Sequence, residues 1–205
     1  MNRKIAVDLD DVSFNFMDPF LYFYNSISGT SFKRKDMFSY RLEDVFEEPT
    51  EQVEKKLRQF YDSSFFENLP TLQGARFAFK SIKEKGDEII IVTSRFEEYR
   101  GITNNALREN FSGNYSNIFY SFSRYNPNGK TKAEICEEQG ASCMIEDCLK
   151  YAFECDSKGI PVFLMNNPWN QGNLEGTVIT RVNNWKEILK NIDSKKVENT
   201  CAVKN

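Results

Sequence analysis

The chain of 205 residues contains no histidine. This absence excludes the Ser-His-Asp and Cys-His forms of nucleophilic catalysis, because both use an imidazole as the base. It also excludes phosphohistidine chemistry and every metal site with a histidine ligand. Proton transfer at neutral pH must therefore come from carboxylates or from lysine, tyrosine or cysteine side chains.

The chain also lacks Cys-x-x-Cys pairs, long runs of basic residues and long runs of apolar residues. The chain has five cysteines and none of them forms a Cys-x-x-Cys pair, so we expect reduced thiols and no zinc site. The net charge is −3 and no long basic run exists, which argues against a nucleic-acid polymer as partner. No apolar stretch reaches about 18 residues, so we expect no membrane contact and a cytoplasmic location.

Five short apolar runs are typical of buried parallel strands. They lie at 5–7, 88–92, 118–121, 143–145 and 162–165. Helical patterns separate several of them and cover 75–85, 132–139 and 149–157, each followed by a glycine that suits a helix end. This alternation predicts an α/β fold, a three-layer sandwich with a doubly wound parallel sheet.

The stretch from residue 14 to 72 interrupts this alternation. It has no clear strand pattern, reads as three or four short helices and holds nearly half of the aromatic residues. We interpret it as a small helical cap inserted after the first strand, whose aromatic rings mostly pack on one another. The core domain would then comprise 1–13 and 73–192, and the polar residues 193–205 would form a flexible tail.

Two carboxylates follow the first predicted strand at once. Asp8 and Asp10 are two residues apart, so an extended chain places both on the same face. Two anions held so close repel each other unless a cation or a proton lies between them, and Mg²⁺ is the simplest candidate. Asp11 points to the opposite face and is interpreted as structural.

Ligands of open α/β sheets bind beyond the carboxyl ends of the strands, so the polar residues at those ends should converge. These residues are Asp8, Asp10, Thr93, Ser94, Arg95, Glu146 and Asp147, together with Lys130 and Lys132 before the fourth strand. Such a set suits phosphoryl transfer. One carboxylate can attack phosphorus, a second can protonate the leaving oxygen, and hydroxyl and ammonium groups can hold the phosphate.

The same residues carry a family resemblance. The segments Asp8-Leu-Asp10-Asp11-Val12, Val92-Thr93-Ser94-Arg95, Lys132-Ala-Glu-Ile and Ile145-Glu146-Asp147 resemble the four ordered motifs of the haloacid dehalogenase superfamily of phosphatases. The resemblance spans about residues 4–165. Within that superfamily the chain is similar to the 5′(3′)-deoxyribonucleotidases, which share the Asp-x-Asp-x-Val start, a small helical cap, the Thr-Ser pair and the paired acids.

The resemblance implies a role for each matching residue. Asp8 would be the nucleophile and Asp10 the general acid and base. The Asp8 carboxylate, the Asp10 backbone carbonyl and the Asp147 carboxylate would bind Mg²⁺. Thr93 and Ser94 would hold the phosphate with one lysine, and Phe16 would pack against the nucleobase. The implied function is a Mg²⁺-dependent 5′-nucleotidase that passes through an aspartyl-phosphate, with a nucleoside monophosphate as substrate.

Several alternatives stay open at the level of sequence. Lys132 is favoured as the phosphate lysine because it directly precedes Ala-Glu-Ile, but Lys130 fits a Lys-x-x-x-Glu-Ile spacing. Thr93 and Ser94 could instead cap a helix. Arg95 could contact substrate or form a surface ion pair. The loop 166–171 is expected to be structural rather than part of the pocket rim.

The function also has alternatives. The chain could be a phosphatase for another small ester, or a non-catalytic phosphate-binding protein with the same fold. The cap aromatics Phe38, Tyr40 and Phe46 match no motif of the family, so base and sugar preference are not predicted. Formation of a homodimer is also left open.

Overall fold

A computed structural model describes residues 2–123 and 126–202, with side chains through residue 194. The centre of the fold is one sheet of six parallel strands. In chain order they are Lys4–Val7 (β1), Glu88–Thr93 (β2), Asn117–Tyr120 (β3), Cys143–Glu146 (β4), Val162–Met165 (β5) and Ile179–Val182 (β6). The spatial order is β3-β2-β1-β4-β5-β6, so the strand order reverses at β1.

The first strand lies in the middle of the sheet. Val7 is in register with Ile91 of β2 on one side and with Ile145 of β4 on the other. These strands are buried on both faces, which is why they read as continuous apolar runs. The predicted doubly wound parallel sheet is confirmed. β6 escaped prediction because Thr180 and Arg181 interrupt its apolar pattern at the sheet edge.

Helices cover both faces of the sheet. The α-helices are, in chain order, Met17–Ser28 (α1), Leu42–Phe46 (α2), Thr50–Tyr61 (α3), Ser64–Glu67 (α4), Ala75–Glu84 (α5), Arg100–Phe111 (α6), Lys132–Glu138 (α7), Leu149–Asp156 (α8) and Trp185–Ala202 (α9). Ile5 and Val7 pack with residues of α5, α6 and α9, whereas Ala6 packs with residues of α7 and α8. The three layers of the predicted sandwich are therefore present.

Residues 14–72, called the cap segment here, contain α1 to α4. Stacked and edge-on rings hold these helices together. The ring of Tyr24 stacks on Phe46 with centroids 3.8 Å apart, and Phe20 meets Phe60 edge-on at 5.3 Å. Aromatic pairs of this kind add directional energy to area burial. The many aromatic residues of this segment therefore serve mainly its own core, as their number suggested.

The two ends of the cap segment lie side by side. The amide of Asn15 donates to the carbonyl of Pro70 at 2.8 Å, and the amide of Leu72 donates to the carbonyl of Ser13 at 2.9 Å. The exact domain boundaries stay a prediction, and so does the flexible tail from residue 193. The described backbone of α9 continues to Ala202, and residues 203–205 of that tail lie outside the described residues. None of the described helices combines the length and apolar composition that a membrane crossing requires.

Candidate active site

The Asp8–Asp10 segment leaves the centre of the sheet through a tight turn. The amide of Asp8 still donates to the carbonyl of Ile145 at 3.0 Å, as the last bond of the β1–β4 ladder. The amides of Ser13 and Phe14 then both donate to the carbonyl of Leu9 at 2.8 Å, which reverses the chain. This turn leaves Asp8 buried, whereas the Asp10 side chain keeps a quarter of its surface exposed.

Lys132 enters the site from the first turn of α7. Thr131 caps this helix, since its hydroxyl accepts a hydrogen bond from the amide of Glu134 at 3.1 Å. The buried ammonium of Lys132 lies 2.9 Å from Asp8 Oδ2 and 2.8 Å from Glu146 Oε2. Lys130 instead pairs with Glu138 at 2.6 Å on the surface. The structure thus brings Lys132, and not Lys130, to the two strand-end carboxylates.

Three carboxylates gather at the ends of β1 and β4. One oxygen of each of Asp8, Glu146 and Asp147 lies within 4.8 Å of the others. Glu146 also accepts the backbone N–H of Cys148 at 3.0 Å, so both of its oxygens are engaged. Asp147 accepts the indole N–H of Trp169 on Oδ2 at 2.9 Å. Asp8 and Asp147 therefore remain the side chains of this group best disposed toward a hard cation.

Arg95 holds the Asp10 carboxylate. Its Nη2 lies 2.6 Å from Asp10 Oδ1, and its Nε lies 3.0 Å from Asp10 Oδ2. The guanidinium is buried and also faces the rings of Phe14 and Phe66. The ion pair expected for Arg95 exists, but it is buried in the wall of the site rather than on the surface, and a contact of Arg95 with substrate stays a prediction. Its fork geometry fixes the orientation of Asp10.

Thr93 and Ser94 occupy the end of β2 beside this pair. Thr93 is buried, and its hydroxyl accepts the amide of Arg95 at 3.3 Å. The Ser94 hydroxyl lies 2.9 Å from the hydroxyl of Ser121, which follows β3. The expectation that these residues might cap a helix was wrong, because the next helical turn begins at Glu97 and is preceded by Phe96.

A cavity of about 430 Å³ opens above these residues. One side of it, called the motif half here, is lined by Asp8, Asp10, Thr93, Ser94, Arg95 and Asp147. The lining residues that come from the cap segment, called the cap half, are the apolar Phe16, Met17, Leu42, Val53, Leu57 and Tyr61 and the polar Tyr40, Arg41 and Glu43. The cavity therefore joins a charged surface built by strand ends to a largely apolar surface built by the cap segment.

Phe16 lies in the cap half and is also part of the aromatic core. Its ring meets Phe60 edge-on at 5.3 Å and is 8% exposed. Of the three cap aromatics without a motif match, Tyr40 lines the cavity, Phe46 is buried in the cap, and Phe38 is 68% exposed.

Sequence reasoning missed Trp169. The loop that holds it was expected to be structural, but the Trp169 ring lines the cavity and its indole N–H binds Asp147. A side chain on an irregular loop carries no periodic signal, so only its position after β5 could have indicated a role.

Burial and crowding raise the pKa values of two carboxyl groups. The pKa of Asp8 rises to about 7, because burial and the neighbouring Glu146 and Asp10 outweigh the attraction of Lys132. The pKa of Asp147 is raised well above its usual range by burial and by the charges of Glu146 and Asp8. Burial alone would lower the pKa of Lys132, but the same carboxylates raise it well above its usual value. Burial and crowding therefore favour the protonated forms of these two carboxyl groups, and a bound divalent cation would favour the ionised forms.

Comparison with known proteins finds solved structures of the same fold and one matching family model. No curated protein sequence matches the chain significantly. A predicted phosphatase from Clostridium acetobutylicum shares the fold with a TM-score of 0.67 and 15% identity, over 95% of this chain and 99% of that one. A haloacid dehalogenase-like hydrolase from Streptococcus pneumoniae gives a TM-score of 0.67 and 14% identity, over 93% and 98%.

A haloacid dehalogenase-type hydrolase from Bacillus subtilis, described as bound to magnesium, gives a TM-score of 0.60 at 15% identity, over 91% of this chain and 96% of that one. These likenesses establish the shared fold. A family model described as "5' nucleotidase, deoxy (Pyrimidine), cytosolic type C protein" matches residues 2–197, which is nearly the whole chain. The chain belongs to this nucleotidase family, and it shares its fold with hydrolases of the haloacid dehalogenase superfamily.

Proposed function

We propose that the protein is a Mg²⁺-dependent 5′-nucleotidase that hydrolyses nucleoside monophosphates through a phosphorylated Asp8. The observation that carries this proposal is that Asp8 and Asp147 line a cavity whose other lining residues are largely apolar, while the buried Lys132 ammonium lies 2.9 Å from Asp8. A phosphate monoester of a nucleoside has the same two-sided character, an anionic head and a flat, largely apolar base.

The charges of the motif half support a divalent cation. Asp10 is neutralised by Arg95, and the single charge of Lys132 is shared between Asp8 and Glu146. With Asp147 counted, two negative charges of this set remain, which is the charge that one Mg²⁺ offsets. Asp8, Asp147 and the Asp10 carbonyl would hold the ion, and oxygen ligands of this kind suit it. When bound, Mg²⁺ lowers the repulsion between Asp8 and the phosphate.

The side chains then divide the reaction between them. The cycle starts with Asp10 protonated, so Asp10 must first take up a proton and loosen its ion pair with Arg95. A carboxylate oxygen of Asp8 then attacks phosphorus, the bond from phosphorus to the ester oxygen breaks, and Asp10 gives its proton to that oxygen. Asp10 next takes a proton from a water molecule, which attacks the aspartyl-phosphate, releases inorganic phosphate and restores Asp8. Lys132, Thr93 and Ser94 hold the phosphoryl oxygens during both steps.

The cap half supports a nucleoside as the leaving group. A cavity of about 430 Å³ holds more than a phosphate ion, and its apolar wall includes the aromatic rings of Phe16 and Tyr61. A nucleobase gains stacking energy on such rings. The family description names deoxy pyrimidine nucleotides, so these are the first substrates to test.

Phosphate release from a panel of 5′- and 3′-mononucleotides tests the proposal directly. Each nucleotide, together with a sugar phosphate, is incubated with the wild type in Mg²⁺ or in chelator. We expect turnover of 5′-deoxynucleotides in Mg²⁺ only, and none by the Asp8→Asn variant. Full activity in chelator would overturn the metal role. If a sugar phosphate is hydrolysed faster than every nucleotide, the substrate class proposed here is wrong and the protein is a phosphatase for another small ester. If nucleotides bind without turnover, the protein is a non-catalytic phosphate-binding protein.

A further inference from the structure

Arg34 makes an unusually dense set of contacts for a side chain of the cap segment. It lies on a 3₁₀ turn, Arg34–Asp36, and its side chain is 27% exposed. Its guanidinium donates to Asp11 Oδ1 at 2.6 Å, Asn15 Oδ1 at 2.8 Å, Asp18 Oδ1 at 2.9 Å and Asn167 Oδ1 at 2.9 Å. Only a planar group with several fixed donors can satisfy acceptors in so many directions.

The partners of Arg34 belong to separate parts of the molecule. Asp11 and Asn15 flank the turn that leaves β1, Asp18 lies in the first turn of α1, and Asn167 lies in the loop after β5. Asp11 is buried and adopts a left-handed φ of 53°, which a non-glycine residue rarely does. Its carboxylate also accepts the amide of Met17 at 3.2 Å. Arg34 thus joins the start of the cap segment to a loop of the core.

The same guanidinium lies against Trp169. Its central carbon is 5.3 Å from the centroid of the indole ring, within the range of a cation–π contact. The indole N–H donates to Asp147 Oδ2 at 2.9 Å, and the buried Asn170 donates to the Asp147 carbonyl at 2.7 Å. A continuous chain of contacts therefore runs from the cap segment through Trp169 to one oxygen of Asp147.

We propose that Arg34 is a positioning residue that orients the Asp147 carboxylate through Trp169 and thereby connects the cap segment to the metal site. This inference rests on the proposed function, because it assigns Asp147 to metal binding. With Oδ2 occupied by the indole, Oδ1 is the oxygen left for a cation. Partners of this kind fix the orientation of metal ligands, and their loss weakens metal affinity about 10- to 100-fold.

A purely structural role for Arg34 makes a different prediction. If Arg34 only links the cap segment to the core, its removal should lower the melting temperature and leave the affinity for Mg²⁺ unchanged. Arg58 provides a matched control for this role. It also lies in the cap segment, pairs with Glu54 and with Glu98 of the core, and lies 4.6 Å from the ring of Phe96, yet it makes no described contact with Asp147 or Trp169.

Isothermal titration of Mg²⁺ into the substrate-free protein separates the two roles. The variants are Arg34→Leu, Arg34→Lys, Trp169→Phe, Asp147→Asn and Arg58→Leu, each with a measured melting temperature. We expect Arg34→Leu and Trp169→Phe to weaken Mg²⁺ binding about 10- to 100-fold, Arg34→Lys to weaken it less, and Arg58→Leu to bind as the wild type does. The double variant Arg34→Leu/Trp169→Phe should bind about as weakly as Trp169→Phe alone, since both changes act on one route.

Each other outcome has a distinct meaning. If Asp147→Asn loses Mg²⁺ while Arg34→Leu and Trp169→Phe keep wild-type affinity, the inference is wrong and the proposed function stands. If the losses of Mg²⁺ affinity in Arg34→Leu and Trp169→Phe add up in the double variant, Arg34 does not act through Trp169 and the inference is also wrong. If the wild type binds no Mg²⁺, or Asp147→Asn binds normally, both the inference and the metal role in the proposed function fail. Should Arg34→Leu not fold, Trp169→Phe and Arg34→Lys decide the question.

Discussion

The two halves of the cavity are held in place by different forces. In the motif half, polar side chains extend from the ends of strands buried on both faces, and ion pairs such as Asp10–Arg95 and Asp8–Lys132 fix them. In the cap half, rings and aliphatic side chains pack on one another, as Phe16 does on Phe60. Directional bonds specify positions to fractions of an ångström, whereas apolar packing accepts substitutions of similar volume.

We expect the motif half to carry out the reaction at phosphorus and the cap half to select the leaving group of the substrate. A change in the motif half should affect every phosphate ester, because each ester presents the same phosphoryl group. A change in the cap half should affect substrates according to their leaving groups. The following experiments test that separation.

The largest effect is expected for Asp8→Asn. The amide has nearly the shape of the carboxylate, but it is a poor nucleophile and a weaker metal ligand. We expect kcat to fall by several orders of magnitude for nucleotides and for p-nitrophenyl phosphate alike. Steady-state kinetics with excess Mg²⁺ measures this, and circular dichroism confirms the fold. Activity within about tenfold of the wild type would remove Asp8 from the nucleophile role.

A smaller loss is expected for Lys132→Ala. Removing one preorganised donor to the phosphoryl oxygens costs about 10²- to 10³-fold in kcat, again for both substrates. The variant also leaves Asp8 and Glu146 buried without their shared cation, so its melting temperature should fall. Lys130→Ala is the matched control, and we expect its kinetics to stay close to those of the wild type because its partner Glu138 is on the surface. A greater loss in Lys130→Ala would reverse the assignment of the two lysines.

Phe16→Ala tests the cap half. Stacking of a base on an aromatic ring is worth about 1–3 kcal/mol, so kcat/KM for nucleotides should fall about ten- to hundredfold. The small ester p-nitrophenyl phosphate has no base and should lose much less. Phe38→Ala is the control, because Phe38 is 68% exposed and does not line the cavity. Equal losses for nucleotide and small ester in Phe16→Ala would mean that Phe16 only packs the cap segment.

The pH dependence of Mg²⁺ binding should give the smallest effect. The pKa of Asp8 is raised from 3.8 to about 7 in the folded protein, so below that pH the group holds a proton that the cation must displace. Displacing the Asp8 proton should therefore make affinity rise by about tenfold per pH unit below pH 7, and Asp147, whose pKa is also raised, should add to this rise. Without metal, the free energy of unfolding should fall as pH rises from 3.8 to about 7. In this range the folded state keeps the Asp8 proton, whereas the unfolded state has lost it.

Calorimetry in two buffers of different ionisation enthalpy measures the released proton. The profile should be unchanged in Phe16→Ala, because that side chain belongs to the cap half. A flat affinity between pH 5.5 and 7 would contradict the raised pKa of Asp8.

The sheet and the strand-end residues could be predicted because their signals are local. Buried parallel strands read as apolar runs, and the residue after each run must lie at the same edge of the sheet. The lysine was also predictable in principle. Thr131 and Glu134 form a capping box, which starts α7 at Lys132 and places that side chain in the first helical turn.

The remainder of the site depends on contacts between distant segments. Trp169 reaches Asp147 from a loop, and Arg34 reaches both Asp11 and Asn167 from a short 3₁₀ turn. Neither position has a periodic pattern that a single sequence could show. The burial of the Arg95–Asp10 pair likewise depends on Phe14 and Phe66, which only the folded cap segment brings together.

The paired ends of the cap segment have a consequence for how such proteins change over evolutionary time. The amide of Leu72 donates to the carbonyl of Ser13 at 2.9 Å. The two points at which the cap segment joins the core are therefore only one hydrogen bond apart. An insertion or exchange at this single place in a gene can alter which molecules reach Asp8, and it does so without moving any strand. A short turn between Ser13 and Leu72 would expose the same nucleophile to much bulkier phosphate esters.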